Sequence, residues 1–299
     1  MNKYYIYILL FIATLLWGGN VIAAKIANNI MLEPIKLSFF RNLVAIIILF
    51  PFVVKNINKI YILFIKHWKL ISILSILSVS IFNTFMNIAL KTSSVISSSL
   101  MPSFAPSIII LLSIIFYKSK INLLQSIGVI ISFIGFLSII FRGNINNLES
   151  LNFVTGDLWM LGCVLCWSIY SATIRIIPKE IDNISFLFLI FFVGNIFVFP
   201  FYCYESIIND SFNIDENYAI PLILYVGIGP ALISYIIWIK CIKVIGASKA
   251  GLFLNLIPVF SSTISIIFLN EILKNYHIIG AILIFLGIYL VNREKNEQN

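Results

Sequence analysis

The sequence predicts an all-α polytopic membrane protein, with ten transmembrane helices arranged as two inverted five-helix repeats. Three observations carry that expectation: the composition, the length of the apolar runs and an internal repeat. Of 299 residues, 61% are hydrophobic and 11% charged, against about 45–50% and about 25% in soluble domains. A mean hydropathy of +1.04 agrees. The composition excludes a disordered chain, a disulfide scaffold and a nucleic-acid-binding domain, so no nucleic-acid partner is expected. At about 20 residues per bilayer crossing, ten spans with short loops use up the chain. The lipid bilayer is the implied surrounding, and no soluble domain is left over.

Apolar runs of spanning length lie at 4–24, 35–54, 70–90, 93–117, 121–141, 157–177, 186–204, 219–239, 247–269 and 276–292. The first follows Asn2-Lys3 and contains Ala23-Ala24, which together imitate a signal peptide; the long runs after it favour an uncleaved span. The second ends at Lys55-Asn56-Ile57-Asn58-Lys59, read as a polar loop leading to the third. The fourth and fifth are separated only by Lys118-Ser119-Lys120. One helix of their combined length would overshoot the bilayer, so two antiparallel spans are expected. Arg142-Gly143-Asn144 closes the fifth, and an acidic segment with Glu205, Asp210, Asp215 and Glu216 follows the seventh.

Charge placement tests the count. With the N-terminus inside, the inner segments hold Lys3, Lys55, Lys59, Lys66, Lys69, Lys118, Lys120, Arg175, Lys179, Lys240, Lys243, Lys249, Arg293 and Lys295, which is 14 of the 20 Lys and Arg. Lys25, Lys36, Arg41, Lys91, Arg142 and Lys274 fall on the outer side or its flanks. Short loops rich in Lys and Arg stay cytoplasmic. A multi-pass protein of the cell membrane with both termini inside is therefore expected.

The chain also repeats itself. Trp17 lies over Trp167 and Asn20 over Tyr170 at an offset of 150, and Phe50-Pro51-Phe52 over Phe199-Pro200-Phe201 at 149. At an offset of 152, Lys91 meets Lys243, Pro106 meets Pro258, Phe116 meets Phe268, Gly128 meets Gly280 and Gly135 meets Gly287. The halves are 1–145 and 146–299. Because each holds an odd number of spans, the second starts on the opposite side of the membrane. Inverted repeats of this kind suit alternating access around a central site.

Leu15-Leu16-Trp17-Gly18-Gly19-Asn20, Glu33-Pro34 and Phe40-Arg41 resemble the opening of an EamA-type repeat of the drug/metabolite transporter superfamily. Gly246-Ala247, Leu256-Ile257-Pro258-Val259, Glu271-Ile272-Leu273, Gly280-Ala281 and Gly287 resemble its close. The sequence departs from the pattern at Ser119, where the first repeat commonly has the glutamate represented by Glu271, and the second repeat has no counterpart of Arg41. The resemblance implies transport of a small-molecule solute such as an amino acid, another metabolite or a drug.

Lipid cannot satisfy polar groups at mid-span, so these mark the candidate substrate site. Trp17, Asn20, Asn83, Asn87, Trp167, Tyr170, Tyr235 and Asn255 form that set, with Trp238 beside it. Serines 97, 98, 99, 103, 107, 261 and 262 are read first as helix-packing residues. Pro102, Pro106, Gly229, Pro230 and Pro258 interrupt spans and are candidate helix breaks or gates. Arg41 is the one charge well inside a span. It either snorkels to the nearby interface, the commoner outcome, or meets a substrate carboxylate. His67 and His277 stand alone at span ends, and Cys163-x-x-Cys166 has no acid or histidine near it. No metal or cofactor is expected.

An intramembrane enzyme would need paired carboxylates, an assisted nucleophile or a metal cluster, and no span carries one. A secondary transporter is the leading reading; a channel or a non-transporting receptor or scaffold is the alternative, and a homodimer is left open. All twelve acidic residues fall in loops, tails or last turns, with Asp157 and Glu271 nearest the membrane. Facilitated or exchange transport is therefore expected rather than proton coupling.

Overall fold

The structure is a computed structural model that describes residues 3–105, 107–109, 111–112, 123–144, 154–173, 177–178, 180–209, 218–245, 250 and 252–293. Its helices are α1 (Lys3–Asn29), α2 (Pro34–Val53), α3 (Ile57–Ser75), α4 (Phe82–Thr92), α5 (Val95–Leu100) and α6 (Leu123–Ile140) in the first half. The second half holds α7 (Thr155–Thr173), α8 (Asn183–Ile208), α9 (Ala219–Val226), α10 (Ser234–Ile245), α11 (Leu256–Leu269) and α12 (Asn275–Arg293). No strand occurs among the described residues. Tyr5–Asn29, Pro34–Thr92, Leu123–Ile140, Asn183–Ile208 and Ala219–Ile242 are long and apolar enough to cross a membrane, and Phe253–Leu269 and Asn275–Leu290 are shorter apolar helices. Pro106, Gly246, Ala247, Phe116 and Ser119 lie outside the described residues.

One expectation is corrected. Residues 55–69, read as a polar loop, are helical: a 3-10 turn over Val54–Asn56 runs into α3. Ile60 and Leu63 turn inward and are buried, while Lys59 and Lys66 stay exposed. That three-residue apolar spacing is a helix signal, but the apolar run 60–65 is far shorter than a span and is flanked by Lys55, Lys59, Lys66 and Lys69, which conceals it. The helix breaks at His67 (φ −124°, ψ 24°), where the chain turns into the third span.

The two halves share irregularities of backbone as well as sequence. A π-helical segment at Ile76–Ile81 leads into α4, and another at Gly227–Ile233 leads into α10, 227 − 76 = 151 residues later. A 3-10 turn at Met101–Phe104 has its counterpart at Leu252–Asn255, again 252 − 101 = 151 residues on. In the second π segment Pro230 has no N–H to give, which opens the helical ladder. In the first, the hydroxyls of Ser75 and Ser78 donate to the Ile71 and Leu74 carbonyls and compete with the backbone for them.

Packing follows the same duplication. Helix α1 lies against α10, and its counterpart α7 lies against α4; α2 packs on α8, α5 on α11, and α6 on α12. The α6–α12 seam is closed by glycine. A Cβ on Gly135 would stand 2.8 Å from the Gly280 carbonyl oxygen, and one on Gly287 would collide with Gly128 and Ser132. Such small residues let helix backbones meet where lipid offers no hydrophobic drive. The contacts cross: Gly128 meets Gly287 while Gly135 meets Gly280, so the two helices run antiparallel.

Candidate functional site

Tertiary packing brings α1, α2, α4, α5, α7, α10 and α11 around a cavity of about 60 Å³. Its wall includes Trp17 and Asn20 of α1, Arg41 of α2, Asn83 of α4 and Ser98 of α5. Pro102 of the first 3-10 turn, Trp167 of α7 and Tyr235 of α10 complete the polar and aromatic lining.

The aromatic side is built edge to face. The Trp17 ring sits 6.0 Å from Trp167, 6.2 Å from Tyr235 and 5.4 Å from Trp238. Trp167 lies 6.0 Å from Tyr235 and 4.9 Å from Phe82. Ring pairs at such separations add roughly 0.5–1.5 kcal/mol each beyond their buried area, so the wall is preorganised. Trp17 and Trp167 occupy equivalent positions of the two halves and touch each other.

The polar side rests on the π segments. Asn83 donates from Nδ2 to the Val79 carbonyl at 2.9 Å, and the Tyr235 hydroxyl donates to the Ser78 carbonyl at 3.1 Å. The corresponding second-half carbonyls are served likewise. Ser234 Oγ donates to Gly229 at 3.2 Å and Trp17 Nε1 to Pro230 at 3.1 Å. Carbonyls released by the irregular backbone are thus taken up by cavity-forming side chains, which explains why these polar residues tolerate burial. Asn83 Oδ1, left free by this arrangement, accepts a 2.6 Å hydrogen bond from an Arg41 guanidinium nitrogen. Gly227 lets α2 approach the second π segment: a Cβ there would lie 3.0 Å from the Arg41 carbonyl oxygen.

The residues singled out from the sequence fall into two groups. Trp17, Asn20, Asn83, Trp167, Tyr235, Pro102 and Arg41 line the cavity. Tyr170 is fully buried behind it, 5.5 Å from the Trp167 ring. Asn87 ties α4 to the start of α2, donating to Ser38 Oγ at 2.9 Å and the Pro34 carbonyl at 3.3 Å. Asn255, Gly229, Pro230 and Pro258 lie off the wall, in the second-half 3-10 turn, the second π segment and the first turn of α11. Arg41 corrects the snorkelling expectation, because it is 2% exposed and enclosed by helices. Ser98, read as a packing residue, also lines the cavity and its hydroxyl has no partner. Ser99 lines it too, and Val21, Phe82, Met86, Met160, Cys163, Leu254 and Ile257 complete the described wall; no sequence signal separated these last from other apolar residues.

Polar groups at helix ends serve other tasks. Glu271 accepts from the backbone N–H groups of Val95 (2.8 Å) and Ile96 (3.1 Å), capping α5 from the far half of the chain. Glu205 caps α2 in the same way through Ile35 and Lys36. Asp157, in the first turn of α7, is buried and accepts from Ser93 Oγ. His277 is not alone as the sequence suggested. Its Nδ1 accepts from Lys274 N at 3.2 Å, leaving Nε2 to donate to Ser97 Oγ at 3.0 Å. Among the described residues no three His, Cys, Asp or Glu gather as a metal site.

Comparison with known proteins identifies the family and the fold. The pattern of the EamA-like transporter family matches residues 4–141 and again 154–293. An uncharacterized transporter of Archaeoglobus fulgidus is 24% identical over 97% of this chain and 98% of its own. The uncharacterized transporter YyaM of Bacillus subtilis is 28% identical over 72% of this chain and 70% of its own. A solved crystal structure shares the fold, with a TM-score of 0.64 at 16% identity over 100% of both chains. With two family matches that together cover nearly all of a helical, membrane-length chain, the protein belongs to the EamA-like transporter family.

Proposed function

We propose that the protein is a secondary transporter that moves a small organic solute across the cell membrane by alternating access. It does so through ten spans in two inverted five-helix repeats, 1–145 and 146–299, with both termini cytoplasmic. One observation carries the reading: the cavity lies where equivalent elements of the two halves meet, with Trp17 against Trp167. A site on the axis relating two repeats is reached from either side by rocking one against the other. The crossed glycine contacts of α6 and α12 support the inversion, because residue i meeting j while j's counterpart meets i's is the mark of a twofold axis.

Contacts at the helix ends support the side assigned to each segment. Lys91 pairs with Glu33, Lys25 donates to the Leu90 and Ser93 carbonyls, and Asp157 meets Ser93, all between segments placed outside. Lys66 pairs with Glu180, and Lys240 sits 5.9 Å over the Tyr5 ring, both between segments placed inside. The hydrogen bond and charge of Lys66 hold the Glu180 carboxyl below its ordinary range.

Among the described residues no carboxylate or histidine lines the cavity, which favours exchange or facilitated transport down the solute's own gradient. Counterflow of labelled solute in proteoliposomes tests the reading. Saturable exchange is expected; flux that rises linearly with concentration would make the protein a channel. Cysteines placed at Ile57 and Asn144 should label from opposite faces, the first from the cytoplasm.

A further inference from the structure

From the cavity's charge and hydrogen-bonding groups, and resting on the transporter reading, we infer that the carried solute is an organic carboxylate whose charged end docks on Arg41. Arginine stays protonated in proteins, so Arg41 brings a full positive charge to this wall. The residue is 2% exposed. Its hydrogen bond to Asn83 goes to a neutral amide, and Nε is buried without a partner. Among the described residues the ion pairs are Lys66–Glu180 and Lys91–Glu33, so no carboxylate lies within 4 Å of Arg41. Among the described residues the lining of the cavity contains no Asp or Glu.

A buried charge without a counter-charge is costly in an apolar interior, and charges at membrane depth are normally paired. Here the missing partner is mobile: it arrives with the solute. A carboxylate suits the guanidinium because its two oxygens accept parallel N–H bonds. The unpartnered Ser98 hydroxyl offers one more donor on the same wall. The rings of Trp17, Trp167 and Tyr235 line the same cavity and fit an apolar body. A cation would meet like charge, and a neutral amide would leave the charge of Arg41 uncompensated.

Volume sets the second constraint. A dry cavity of about 150 Å³ holds benzene, so about 60 Å³ seats a carboxylate and little beside it. The solute's remaining atoms require the wall to move, as alternating access demands. The same guanidinium then does two jobs, selecting the anion and coupling its arrival to the packing of α2 against α4.

Binding to the purified protein in detergent tests the inference, with three probes of matched shape: phenylacetate, 2-phenylacetamide and phenethylamine. Propionate, propionamide and propylamine form a smaller set. Binding is read by intrinsic tryptophan fluorescence and by unfolding temperature. A carboxylate is expected to bind at least tenfold more tightly than its amide and amine in at least one set. Arg41→Lys, which keeps the charge but loses the planar fork, should weaken the carboxylate at least tenfold and leave the amide unchanged. Thermal unfolding of the unliganded variant reports whether it is folded, and the wild-type comparison of the three probes stands without any variant. Equal or tighter binding of the amide or amine, or no response to any probe, overturns the inference. Carboxylate binding without counterflow of that carboxylate would instead overturn the transporter reading and leave the anion site standing.

Discussion

The two halves of the chain share the same backbone irregularities but not the same chemistry. Both carry a π-helical segment before the end of the third span and a 3-10 turn in the fourth, spaced 151 residues apart. Yet the first half supplies Arg41, Asn20 and Asn83 to the cavity, while the second supplies Trp167 and Tyr235. At offsets of 149 and 150 the counterparts of Arg41 are Ile190 and Phe191, both fully buried. Electrostatics accounts for the asymmetry. A site near the axis would place two equivalent arginines close together in a medium of low dielectric, where like charges repel strongly. On the transporter reading proposed above, rocking of the halves would use the duplicated backbone, whereas docking one anion would use only one charge.

The comparison can be broken most severely at the seam between the halves. Gly135→Leu and Gly287→Leu, at equivalent positions of the two halves, each force a side chain onto the opposing backbone. Each should cost about 1–3 kcal/mol or more, read as a lowered unfolding temperature in detergent. Equal losses for the two variants would express the twofold relation; a loss confined to one would argue against it.

The aromatic pair sharpens the comparison at the site. Trp17→Ala and Trp167→Ala remove equivalent rings that touch across the axis. Each should raise the half-saturation concentration for the transported solute at least tenfold, about 1.4 kcal/mol, beyond any loss of folded protein. Unchanged transport in both would move the site elsewhere.

The smallest effect separates two asparagines one helical turn apart. Asn83 holds Arg41, whereas Asn87 holds α4 to the start of α2. Asn87→Ala should lower stability by about 1 kcal/mol and leave transport unchanged. Asn83→Ala should impair transport, since it leaves the guanidinium without its amide partner. Similar transport losses in the two variants would show that both act only through folding.

Periodicity and composition made most of the helices legible, because spanning length and lysine placement are properties of local sequence. They failed at residues 55–69, where the apolar run 60–65 is too short to read as a span and is flanked by asparagine and lysine. The mid-span polar residues were legible as a class, because polar groups in apolar helices stand out. Their roles were not. Asn83 and Asn87 share a face and a residue type, and only their neighbours across the bundle make one a cavity wall and the other a tie. Arg41 shows the same limit: its distance from a helix end suggested snorkelling, and the enclosing helices removed the route to the interface.

By itself, then, the amino-acid sequence determined an all-helical membrane chain, its two-fold internal repeat and its resemblance to a transporter family. Each follows from local patterns that survive any arrangement of the helices. Tertiary structure decided that Trp17 meets Trp167, that the π segments turn their free carbonyls to Asn83, Tyr235, Ser234 and Trp17, and that Arg41 lacks an acidic partner. Those facts depend on which helix faces which, and that is settled by close packing between residues as distant in the chain as Trp17 and Pro230, 213 positions apart.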